Sequence, residues 1–95
     1  MLYWRKRPEG AHTMKPRTKP LGTQNLIGAR VTEARKKRNM LQITLLEQLQ
    51  LKGISISSPA LSLLEGQKRP VSDFELLALS EILHVSVNWL LGIEN

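Results

Sequence analysis

From Asn25 onward the apolar residues recur at steps of three and four, with no alternating pattern. That period restricts the chain to amphipathic helices packed on one another, because only a helix brings such positions onto one face. Ile27, Val31 and Ala34 mark the first stripe, Leu45, Leu46 and Leu49 the second, and Ala60, Leu61 and Leu64 the third. Leu76, Leu79, Ser80 and Leu83 mark a fourth. At 95 residues the chain is long enough for one domain with a modest core.

Local signals set the helix limits. The first helix is expected from about Asn25 to Arg38, ending in the basic run Arg35, Lys36, Lys37 and Arg38, which suits the negative end of a helix dipole. The second runs from about Gln42 to Lys52 and stops at Gly53, where glycine tolerates left-handed geometry. The third is short, Ser58 to Glu65, with Ser57 as its cap and Pro59 in its first turn. Ser72 with Glu75 three residues on forms a capping-box pattern for a fourth helix ending near Leu83. Ser86 caps a last helix through Leu91, stopped by Gly92. Ser80 is expected to be small, buried and bonded to a carbonyl one turn back. The expected class is all-α, a compact five-helix domain over residues 25–92.

Residues 1–24 differ in kind. They carry Pro8, Pro16, Pro20, Gly10 and Gly22 and no apolar period, so they are expected to form a flexible, disordered arm. Charge concentrates there. Arg5, Lys6, Arg7, Lys15, Arg17 and Lys19 oppose only Glu9, so this stretch holds +5 of the net +6 and the helical part is nearly neutral. A basic arm beside a compact domain suits a polyanion, because neutralising phosphates releases counterions.

Several functions are disfavoured. With no cysteine, disulfides, a thiol nucleophile and thiolate metal sites are excluded. His12 and His84 stand far apart in sequence, so a metal site from them is not expected, nor is a cofactor. No nucleophile-and-base set or glycine-rich phosphate loop is present, and the chain is not read as an enzyme. No apolar run approaches the roughly 20 residues needed to span a bilayer. The basic start is followed by Pro8, Glu9 and Gly10 and does not read as a signal peptide, so a cytoplasmic location is expected.

The segments Ile27-Gly28-Ala29-Arg30-Val31-Thr32-Glu33-Ala34-Arg35 and Gln42 with Leu45 and Leu49 resemble the first two helices of the phage-repressor/Cro-like (XRE-type) helix-turn-helix family. Leu61-Ser62-Leu63-Leu64-Glu65, Lys68-Arg69-Pro70 and Val85-Ser86-Val87-Asn88-Trp89-Leu90-Leu91-Gly92 resemble its third helix, the basic loop after it and its closing helix. The resemblance covers about residues 25–92, with the helix-turn-helix at about 42–65. One departure is the stretch Gln50 to Ile56, which makes the connection between the second and third helices longer than in a compact member. Another is His84, where the family often has glycine; histidine tolerates left-handed geometry better than most residues.

The resemblance implies a sequence-specific regulator of transcription, a repressor, binding double-stranded DNA as a homodimer with its third helix in the major groove. It implies contacts from Ser57, Ser58, Pro59, Ser62 and Leu63 on the third helix, and phosphate contacts from Gln42, Lys68 and Arg69. It also implies a structural ion pair between Arg35 and Glu65. Trp89 is read, apart from the resemblance, as core packing or a dimer contact and not as a ligand site. With no Arg, Asn or Gln on the third helix to pair bidentately with a base, its direct readout is expected to be modest. The competing expectation is a protein-interaction module that keeps the fold, such as an antitoxin-like partner binder.

Overall fold

The computed structural model describes residues 20–94. The expected basic arm lies outside the described residues as far as residue 19. Among the described residues there are five helices and no strand: α1 (Gly28–Lys37), α2 (Gln42–Leu51), α3 (Ser58–Glu65), α4 (Asp73–Leu83) and α5 (Val87–Leu91). None is long and apolar enough to cross a membrane.

One core joins all five. Val31, Leu45, Leu49, Leu61, Leu64, Leu79, Leu83 and Leu90 are its largest fully buried side chains. Each buried leucine contributes about 1.5–3 kcal/mol relative to exposure. The α4 stripe is rotated from the one expected. Glu75, Ala78, Leu79, Ile82 and Leu83 turn inward, Leu76 and Ser80 are half-buried, and Phe74 and Leu77 face out. Ala60 is likewise only half-buried. On this face Glu75 is held by Arg69 and by the Ser72 backbone, beside the buried Ala78, Leu79, Ile82 and Leu83.

The caps are local and specific. Ser72 Oγ accepts from Glu75 N while the Glu75 carboxylate accepts from Ser72 N, a complete capping box. Ser57 and Ser86 cap α3 and α5 through Ala60 N and Trp89 N. α1 starts on Asn25, whose Oδ1 accepts from the backbone of Ile27 and Gly28. His84 closes α4 in the left-handed region at φ 56°. That reversal brings the Val85 carbonyl over Ser80, so the Ser80 hydroxyl donates forward to Val85 O and not back to the preceding turn as expected.

Two long-range ties hold the ends of the domain. The first is a strap. Gly22 N donates to Gly66 O and Gln24 N to Gln67 O, while the Asn25 amide reaches Leu64 O and Arg69 O. The strap lies so close that a Cβ on Gly22 would stand 2.4 Å from the Gln67 carbonyl oxygen. The second tie is Arg30, a buried residue whose Nη1 donates to the carbonyls of Trp89 and Glu94. Its guanidinium sits 4.7 Å from the centroid of the half-buried Trp89 ring, a cation–π contact.

Candidate nucleic-acid interface

α2, the turn after it and α3 present the residues singled out in the sequence. Helix α2 ends at Leu51, and Gly53 turns the chain at φ 84°. Six residues separate α2 from α3. This long connection is tethered rather than slack. Ile56 is buried in the core, and Gln50 Nε2 donates across the turn to Ile56 O at 3.3 Å.

On α3, Ser57, Ser58, Pro59, Ser62 and Leu63 are all exposed, whereas Leu61, Leu64 and Glu65 are buried. Positions 58 and 62 are four residues apart and so lie on one face, as do 59 and 63. The exposed surface of this helix carries hydroxyls and apolar groups and no charged side chain.

Beneath that surface lies a polar cluster around Glu65. Arg35 Nε lies 2.9 Å from Glu65 Oε2, and Nη2 lies 3.0 Å from Oε1, a two-point grip in which both side chains are close to fully buried. Arg35 Nη1 also donates to Met40 O, which fixes the entry to α2. Thr32 Oγ1 stands 3.0 Å from Glu65 Oε1. Gln42, the first residue of α2, donates from Nε2 to the same Oε1 at 3.2 Å and accepts from Ser62 Oγ on its Oε1 at 3.0 Å. The cluster thus binds α1, α2 and α3 together and reaches the surface at Ser62.

The three residues expected to contact phosphates fall in different settings. Lys68 is exposed, next to the strap. Arg69 is half-buried, and its two terminal nitrogens lie 3.3 and 3.2 Å from the Glu75 oxygens, so its fork is engaged within the domain. The Gln42 amide is engaged with Glu65 and Ser62, while α2 itself begins without a side-chain cap at Leu41. Sequence reasoning missed the strap residues Asn25 and Gln67, whose side chains join the segment before α1 to the loop after α3. It also missed the role of Arg30. The only available signal for either was a polar residue near a helix end, which is common.

No group of three or more His, Cys, Asp or Glu that could hold a metal is present among the described residues. Compared with protein-family models, with curated proteins and with solved structures, the chain finds no match.

Proposed function

We propose that this chain is a cytoplasmic DNA-binding regulator of the phage-repressor/Cro-like type, a repressor that acts as a dimer. In this reading α2 and α3 are the helix-turn-helix, and α3 enters the major groove. One observation carries the reading. The exposed α3 face of Ser58, Pro59, Ser62 and Leu63 is bordered by Gln42 and the uncapped start of α2, with Lys68 following in the next loop, and the buried Arg35–Glu65 grip holds the helix beneath it. Serine hydroxyls and apolar groups match base edges and thymine methyls, and the backbone N–H groups at the start of α2 and the lysine match phosphates, while the Gln42 side chain is held by Glu65 and Ser62. The excess positive charge of residues 1–24 supplies the attraction that the nearly neutral helical part lacks.

The test is a titration of the full chain against duplex DNA at two salt concentrations, followed by footprinting on the DNA upstream of its own gene. Affinity that falls steeply with salt, and a protected near-palindrome, are expected. A second reading, a protein-docking module, is favoured by the absence of any exposed charge on α3. Failure to bind duplex DNA at low salt would leave that second reading in place of the first.

A further inference from the structure

The polar cluster under α3 has a direction, and the direction ends at the surface. Glu65, gripped by the Arg35 guanidinium, offers only acceptor oxygens. The Gln42 amide beside it must therefore turn its NH2 toward Glu65, as it does at 3.2 Å. The opposite rotamer would set the amide oxygen against a carboxylate oxygen. With NH2 inward, the Gln42 carbonyl points to Ser62, and it accepts the Ser62 hydroxyl at 3.0 Å. A serine hydroxyl has one proton and two lone pairs. Once that proton is committed to Gln42, the exposed oxygen of Ser62 can only accept. Ser58, one turn earlier on the same face, makes no side-chain hydrogen bond among the described residues, so its hydroxyl remains free to donate or accept.

We infer that the Glu65–Gln42–Ser62 relay makes Ser62 a one-way reader. It selects a base that presents an exocyclic amino group in the major groove, adenine N6 or cytosine N4, and it disfavours guanine O6 and N7, thymine O4 and phosphate oxygens. An ordinary serine reads donors and acceptors alike. The relay converts an ambiguous hydroxyl into a specific one, and Gln42 is the positioning residue. This inference rests on the DNA-binding reading above.

The experiment starts with selection of preferred duplexes from a randomised pool by the full chain, and by Ser62→Ala. Ser62 is exposed, so Ser62→Ala is expected to keep the parent melting temperature and to lose preference at one position per half-site. At that position the amino group of the selected adenine or cytosine is then removed, using purine or 2-pyrimidinone. Affinity of the parent is expected to fall about 2- to 10-fold, the range of one neutral hydrogen bond. Affinity of Ser62→Ala is expected not to fall further. Gln42→Met, with folding checked by its melting curve, releases the hydroxyl and is expected to flatten the preference at that position while Ser62 is still present. Ser62→Thr keeps the hydroxyl and should retain it.

The inference is overturned if removing the amino group costs the parent nothing, if it costs Ser62→Ala equally, or if Gln42→Met leaves the preference intact. Those results leave DNA binding standing. If no duplex is selected at low salt, the DNA-binding reading and the inference fall together.

Discussion

Arg35 and Glu65 meet fork to carboxylate between α1 and the end of α3, with Nε 2.9 Å from Oε2 and Nη2 3.0 Å from Oε1. Both side chains are nearly removed from water, at 11% and 5% exposure, so removal of one partner leaves the other charge buried. Glu65→Ala is expected to cost about 3–5 kcal/mol. That is a large share of the roughly 5–15 kcal/mol by which such a domain is stable. Arg35→Ala should cost a similar amount, and the double variant much less than the two combined, because the second substitution removes the stranded charge. Urea unfolding of the four proteins measures this. If Glu65→Ala unfolds together with the parent, the pair is not structural.

Lys68 and Arg69 are neighbours in sequence, but the structure places them in different settings. Lys68 is exposed, whereas the Arg69 fork lies on Glu75, which is also the capping-box residue of α4. On the DNA-binding reading proposed above, Lys68→Ala is expected to weaken duplex binding about equally across sequences and to reduce the slope of log affinity against log salt by about 0.9, one phosphate contact. Its stability should not change. Arg69→Ala is expected to act first on stability, since it removes the partner of a nearly buried carboxylate. Measuring both quantities for both variants separates the roles. An Arg69→Ala protein of parental stability with a reduced salt slope would show the fork to be free for phosphate.

α1 crosses α3 at Gly28, and the closeness of that crossing excludes a side chain. A Cβ there would lie 2.3 Å from the Leu64 carbonyl oxygen and 2.8 Å from that of Glu65, both backbone atoms with little freedom to move. Gly28→Ala is therefore expected to destabilise the domain by about 1–3 kcal/mol, the usual cost of overpacking, even though alanine is the better helix former. The same shift displaces Glu65 relative to Arg35, so thermal unfolding should show a lowered midpoint. A midpoint equal to the parent's would mean that the two helices can separate at no cost.

The parts of this structure legible in the sequence are those written in local chemistry. Ser57 and Pro59 mark the start of α3, and the Ser72–Glu75 spacing marks the start of α4. Gly53, His84 and Gly92 take the left-handed conformations that end α2, α4 and α5. What was not legible depends on residues far apart in the chain. Asn25 reaches Leu64 and Arg69 across 39 and 44 residues, and no period or cap signals such a bond. Gln42 gave no sign of its task, because the direction of an amide is set by whatever lies opposite it, here Glu65 and Ser62. The Arg69–Glu75 pair depends on the loop conformation, in which Gln67 takes φ 59°. Candidate contact residues were thus nameable one by one, while the connections that orient them were not.

Glu33 offers a test in the opposite direction, because its replacement should strengthen the fold. It lies on α1 at 4% exposure, and neither carboxylate oxygen has a hydrogen-bond partner among the described residues. A buried polar group without partners costs stability, and a charged one costs more than a neutral one. Leucine is close to glutamate in helix propensity, so Glu33→Leu leaves that contribution nearly unchanged while an apolar side chain replaces the partnerless carboxylate. The substitution is expected to raise stability by about 1–3 kcal/mol. Glu33→Gln, which removes the charge but leaves polar atoms in place, should recover only part of the gain. Chemical denaturation of the three proteins gives the order directly. The expected order is Leu above Gln above Glu. If Glu33→Leu is less stable than the parent, the carboxylate has a partner that outweighs its burial.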